Sequence, residues 1–421
     1  MTGVGPMSGR FGHRAALAPL RVPAFRRYLL GQLPSASCSW AQVVALSWVV
    51  VQLDQRALGP IIAAQFLPSV LLGPWFGALV DRHDRRRMLM LTEAGLALVA
   101  LGYAAAATAG LLTLPAVFAL ATAWGVINAL DTPARRALVP MLVPGEVAPS
   151  AAALAGATLT LSMMLGSALW GALVVTLGVA ATFALNAASF VADVAVLASI
   201  RVRPSPRTPR APRQVVEGLR YVLRTPVLRT AMGALAVIAT FCFAVQATVP
   251  VLVRSTYAGG PGMISMLFTT VTAGCLAGAL LLAARGGVGP RTLASSATCI
   301  AGGSLAIAIA PVPLLAAAGL AGVGIGWSYL IGATTALLQT ARPDLMGRVM
   351  ALFAAVLLSG QAVGGPLVTL VTAAAGPRAP FVLGAAVAGG VAVVLVRAQR
   401  RTSDRAGQTE KLAGDPVGHG M

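Results

Sequence analysis

Only twelve acidic residues occur in this chain of 421, and some stand where an acid has no ordinary reason to be. Asp193 lies eight residues before Arg201, at the end of an apolar run. On a helix rising about 1.5 Å per residue it is buried about 12 Å into that run. Glu93 lies six residues beyond Arg87, about 9 Å in by the same geometry. A carboxylate inside a membrane span changes its protonation as water gains or loses access to it, which is the chemistry by which protons drive uphill movement. Glu93 can also reach the headgroup layer and pair with an arginine of the loop behind it. A third acid, Asp81, ends an apolar run and is followed by Arg82, Arg85, Arg86 and Arg87, so one carboxylate and four guanidiniums fill a turn between two apolar stretches. Asp54, at the outer end of the first run, reads as a solvated loop residue.

Other chemistries lack their residues. The histidines are His13, His83 and His419, all outside the apolar runs, and Cys38, Cys242, Cys275 and Cys299 lie inside runs with no metal-ligand spacing. A membrane-embedded hydrolase or acyltransferase needs a nucleophile with its base, or a metal set. The expectation is therefore no enzyme, no cofactor and no metal, with the cysteines as small packing residues.

The elements that hold the acids are membrane helices. With 57% hydrophobic and 10% charged residues and a mean hydropathy of +0.83, the chain lies outside the range of soluble globular proteins. Apolar runs of bilayer length fall near residues 25–53, 58–80, 88–109, 112–130, 150–176, 179–200, 228–253, 261–284, 292–310, 312–339, 346–375 and 379–397. The net charge of +19 raises nucleic-acid binding as an alternative, but position decides against it. With the N-terminus inside, 28 of the 31 basic residues fall on the cytoplasmic side, and only Arg56, Arg254 and Arg378 fall outside. Such asymmetry orients both termini to the cytoplasm. No cleaved signal peptide is visible in the first 24 residues.

The turn Gly77-Ala-Leu-Val-Asp81-Arg82-x-x-Arg85-Arg86 resembles the signature loop between the second and third helices of the major facilitator superfamily. Asp84 stands where that pattern usually has its second glycine, a departure seen in the drug and siderophore exporter branch, the enterobactin-exporter and transmembrane secretion effector type. The segment Asp131-Thr132-Pro133-Ala-Arg135-Arg136-Ala-Leu-Val-Pro140 resembles the D-N-P-A-R-R-A-L-V-P run of the same branch, and Asn186-Ala-Ala-Ser-Phe190 extends the likeness over most of the N-terminal half. Thr132 is placed to cap a short helix starting at Pro133. The resemblance implies an all-α membrane protein of twelve transmembrane helices in two six-helix halves, which rock around a mid-membrane site. It also implies a cytoplasmic gate in which Asp81 sits against the start of the eleventh helix, here Asp344-Leu-Met-Gly347-Arg348. A carboxylate at a helix N-terminus is favoured by about 0.3 to 1 kcal/mol, enough to bias an equilibrium without locking it. The third and sixth helices, which carry Glu93 and Asp193, are peripheral in the superfamily.

The expected organisation is a tail (1–24), a first half (25–200), a linker (201–227), a second half (228–397) and a C-terminal tail (398–421). In the linker, Val215, Val216, Leu219, Val222 and Leu223 recur at helical spacing opposite Arg213, Glu217, Arg220 and Arg224, which describes an amphipathic helix on the membrane surface. Gly166-Ser167 and Gly365-Pro366 sit at one offset, 17 residues, from Pro149 and Arg348, as a parallel repeat would place them. Superfamily exporters often carry a glycine-proline motif in the fifth helix, where this chain has Gly166-Ser167. The polar side chains of the first span make it a candidate cavity wall. Gln32, Gln42, Trp124, Asn128, Gln246, Trp327 and Tyr329 are the cavity candidates, and an apolar, aromatic lining suits bulky amphiphilic molecules. The reading is a multi-pass protein of the cell membrane, the inner membrane of a bacterial cell, acting as a monomer. It would be an antiporter that exports drugs, macrolide-like compounds or siderophores against a coupling proton. Import of a small nutrient is the alternative, ahead of a membrane enzyme or a non-transporting receptor.

Overall fold

Inside a bilayer only helices and closed barrels satisfy their own backbone groups, so apolar runs of about 20 residues dictate helices. The computed structural model describes residues 17–202, 214–242, 245–285, 289–342 and 345–413, and within them all side chains except those at 74, 81, 214–216, 290 and 400–413. The helices are α1 (Pro23–Asp54), α2 (Leu58–Arg82), α3 (Arg85–Thr108), α4 (Leu114–Leu138), α5 (Ala148–Ser199), α6 (Gln214–Arg224), α7 (Pro226–Phe241), α8 (Val245–Thr256), α9 (Pro261–Ala284), α10 (Pro290–Ile309), α11 (Pro313–Leu338), α12 (Met346–Ala375) and α13 (Ala379–Ala413). No strand occurs among the described residues. Ten of their stretches are long and apolar enough to cross a membrane, which makes this a multi-pass membrane protein. Two stretches, Pro23–Gly73 and Gly145–Ser199, run to 51 and 55 residues. The first contains the 3-10 turn Gln55–Ala57, N-capped by Asp54, whose carboxylate accepts from Arg56 N at 2.8 Å. The second is broken at Gly178, whose φ of +81° favours glycine because no Cβ is present to clash.

Two sequence expectations change. Thr132 does not open a new helix, because α4 continues through Pro133 to Leu138. The proline removes one backbone donor, while the Asp131–Arg135 pair spans the same turn at 3.2 Å and Ala134 and Leu138 pack into a buried core. The amphipathic helix α6 is also more than a surface anchor. Val222 is buried with Leu228, Met232 and Val349, while Leu219 and Leu223 stay exposed.

The chain forms two compact units, Met1–Ala45 with Pro68–Arg210 and Leu46–Leu67 with Ala211–Met421. In the first, Phe25, Leu89, Leu138 and Leu197 form a core near the ends of α1, α3, α4 and α5. A second cluster is built on Leu96, Ala100 and Phe190. In the second unit, Leu235, Ile300, Trp327 and Leu330 anchor an extended buried cluster. Residues 46–67 join this unit through Ile62, which packs with Ala247 and Val368.

Glycines set the closest helix approaches in both units. A Cβ on Gly166 would lie 2.1 Å from Ser37 O of α1, and one on Gly364 would lie 2.3 Å from Thr240 O of α7. Gly166-Ser167 thus packs its helix closely without the proline of the exporter pattern.

Candidate coupling site

Three helices of the first unit bring four charged side chains together. Arg135 of α4 pairs with Glu93 of α3, with Asp131 one turn back at 3.2 Å, and with Asp193 of α5 at 3.5 Å. Thr92 donates to Asp131 Oδ1 at 2.7 Å, which fixes that carboxylate toward the guanidinium. Arg135 is 19% exposed, whereas the side chains of Glu93 and Asp193 are 1% and 0% exposed. Arg135 is thus the more accessible member of the pairings, and the two carboxylates lie behind it. Tyr28 of α1 is buried and within electrostatic reach of Arg135 and Asp193. Gly31 of the same helix lies so close that an added Cβ would stand 2.6 Å from Asp193 Oδ1.

The structure thus joins Glu93 and Asp193, the two carboxylates singled out in the sequence, through a residue that sequence reasoning left unassigned. Glu93 pairs with Arg135 and not with the arginines of the loop behind it, because α4 presents its Asp131–Arg135 face to α3. The signal was available: an acid and an arginine four residues apart at the end of an apolar run mark one helix face.

The arginines of the turn between α2 and α3 are used within the same unit. Arg86 donates to Leu197 O at 2.7 Å and to Ala198 O, two carbonyls at the C-terminal end of α5, where a cation complements the helix dipole. Arg85 contacts Met141 Sδ at 3.2 Å, and Arg82 is exposed. Gly77 has open space where a Cβ would be. Asp84 explains its place in the pattern: its φ is −68°, which needs no glycine, and its carboxylate N-caps α3 by accepting from Arg87 N at 3.0 Å. The Asp81 side chain and Asp344 lie outside the described residues. In the second unit Arg348 pairs with Glu217 of α6 at 2.5 Å.

The cavity candidates have diverse surroundings. Gln32 is buried on α1. Gln42 accepts from Asn186 Nδ2 of α5 at 2.8 Å, so it joins two helices of one unit. Trp124 packs on the cluster of Leu96, Ala100 and Phe190, and Asn128 is half-buried. In the second unit Gln246 is half-buried, Trp327 belongs to the main core, and the ring of Tyr329 lies 5.2 Å from the Arg285 guanidinium.

Known proteins share this architecture and sequence. The chain is 27% identical over 391 residues to the "Multidrug efflux pump Tap" of Mycobacterium tuberculosis, covering 86% of this chain and 90% of that one. It is 26% identical over 315 residues to "Macrolide efflux protein A" of Streptococcus pyogenes, covering 71% and 76%. Among solved structures, a bacterial homologue of the human lysosomal transporter Spinster superposes with a TM-score of 0.65 at 13% identity, covering 89% and 95%. The nucleoside transporter NupG superposes with a TM-score of 0.69 at 10% identity, covering 89% and 98%. At such identities the superpositions speak for the fold alone. The transmembrane secretion effector family matches residues 14–414. With that match over nearly its whole length, the chain belongs to the transmembrane secretion effector family of the major facilitator superfamily and is a membrane transporter, not an enzyme.

Proposed function

We propose that this transporter exports amphiphilic organic molecules in exchange for protons, by alternating access between two six-helix halves of a monomer. The observation that carries the coupling is the ratio of charges: Glu93, Asp131 and Asp193 converge on one guanidinium, Arg135. With all three acids ionised the cluster holds an uncompensated negative charge away from water, which is costly. Binding protons lowers that excess, and the number bound shifts when rocking of the helices changes water access. Asp193 and Glu93 are the carriers and Arg135 is their counter-ion. The names of the efflux relatives support export of drug-like compounds.

Twelve passes with cytoplasmic termini follow if the 51- and 55-residue stretches each cross twice, since one crossing takes about 20 residues. In this reading, as the resemblance implies, Gly77, Asp81, Arg82, Arg85 and Arg86, with Asp344 and Arg348, control cytoplasmic closure. Trp124 and Asn128 of the first unit and Gln246, Trp327 and Tyr329 of the second are the proposed substrate-contacting residues, while Gln32 is assigned no substrate contact.

The test is uptake of ethidium and of a macrolide into inverted membrane vesicles under an imposed pH gradient. Wild-type uptake should rise with an acid interior and collapse with a protonophore. Asp193→Asn should abolish the pH-driven component yet leave downhill exchange measurable. Wild-type uptake indifferent to the gradient, or full pH-driven uptake by an Asp193→Asn/Glu93→Gln double variant, would refute proton coupling through this site.

A further inference from the structure

On α1, Tyr28, Gln32, Ser35, Ser39 and Gln42 are separated by alternating steps of four and three residues, a spacing that keeps all five on one helix face. Four of them are buried, and Ser39 is half-buried. Opposite lies a polar face of α5 formed by Asn186, Ser189 and Asp193, again three and four residues apart. Contacts join the two faces along their length. Asn186 donates to Gln42 at 2.8 Å, Ser39 donates to Asn186 Oδ1 at 3.3 Å, and Gly31 abuts Asp193, while within α5 Ser189 donates to Asn186 Oδ1 at 3.2 Å. A polar seam of this kind, about 21 Å long at 1.5 Å per residue, is expensive inside a bilayer unless it is used. Packing alone does not explain it. Gln32 Oε1 makes no hydrogen bond although it is buried, and Tyr28 and Asp193 at the end of the seam find only the shared Arg135 as a partner. Buried polar groups left in that state call for partners that can come and go.

Resting on the coupling reading above, we infer that this seam conducts the coupling proton between the Arg135 cluster and the middle of the bilayer. A proton arriving from water at the Arg135 side is taken up by Asp193. It leaves along hydroxyls and seam waters, each of which accepts one proton and releases another, and is released to water at the Gln42 end, so no relay group changes its charge. Tyr28 and the serines relay, and Gln32 positions water between them. The titratable and charged groups facing the path are Tyr28 and Cys38 of α1, Glu93 of α3, Asp131 and Arg135 of α4, and Asp193 of α5.

The full-length protein in proteoliposomes, loaded with a pH-sensitive dye and given ethidium, provides the test. Tyr28→Phe and Gln32→Leu should each slow pH-driven exchange about tenfold, a modest rise in barrier. Downhill ethidium uptake and the melting temperature should stay close to wild type. Gln32→Ser, which leaves room for water, should restore most of the rate, and the solvent-deuterium slowing of pH-driven exchange should be larger in Tyr28→Phe than in Thr122→Ala. Thr122 is an exposed α4 residue bonded only to its own helix, at Phe118 O. Wild-type rates in both Tyr28→Phe and Gln32→Leu, with Asp193→Asn inactive, would overturn the seam and leave the coupling site standing. Equal losses in Gln32→Leu and Gln32→Ser, extending to downhill uptake, would show packing alone and overturn it too. Full pH-driven exchange in Asp193→Asn would remove both the coupling reading and the seam.

Discussion

Arg135 balances three acids, so its removal isolates what the charges are for. Arg135→Gln leaves Glu93, Asp131 and Asp193 facing one another with no cation. Breaking a buried ion pair by removing one partner costs about 3–5 kcal/mol. Arg135→Gln should therefore melt well below wild type in detergent and lose pH-driven uptake. Adding Asp131→Asn should recover part of the melting temperature, because it removes the nearest uncompensated charge on the same helix. An unchanged melting temperature in Arg135→Gln would mean that the cluster is solvated and contributes little. At this scale the sequence reveals which acids lie inside spans. It does not reveal their partner, since the Arg135–Glu93 contact depends on how α3 and α4 face each other.

Helices in a bilayer associate through close packing and not through a hydrophobic driving force, so glycine contacts matter more than apolar area. Gly166 against Ser37 and Gly364 against Thr240 are such contacts, one in each unit. Gly166→Val and Gly364→Val should each force a helix shift and destabilise by about 1–3 kcal/mol, the range of overpacking. Gly156→Ala, where nothing lies within 4 Å of a new Cβ, should be neutral or slightly stabilising. Thermal unfolding of the purified variants orders the three, and equal melting temperatures would deny the contacts their role. The matched offsets of Gly166 and of Gly365, the neighbour of Gly364, are legible in the chain. The helix that each one meets is not, because a small residue carries no mark of its partner.

For the whole molecule, the placement of arginine decides orientation. A cysteine introduced at Arg220 on the exposed part of α6 should react with an impermeant maleimide only in inverted vesicles, and one at Arg378 only in intact cells. The opposite pattern would invert the topology. Both test sites lie in the second unit.

Hydropathy and length by themselves determine that this is a helical membrane protein, because a bilayer admits no other way to satisfy a backbone over runs of 20 apolar residues. Span positions followed closely, from Pro23–Asp54 against an expected 25–53 to Gly178 at the expected break between 176 and 179. The motif around Asp81 and the Asp131–Pro140 run were enough for the family, since both depend on local spacing. Tertiary structure alone decided that Glu93, Asp131 and Asp193 share one guanidinium, that Arg86 closes the end of α5, that α4 passes unbroken through Pro133, and that Gln42 turns to Asn186. Each of these depends on the rotation of one helix about its axis relative to another. Periodicity reports which face of a helix is polar, but in a bilayer the polar face can turn to a cavity or to a neighbouring helix, and only packing chooses between them.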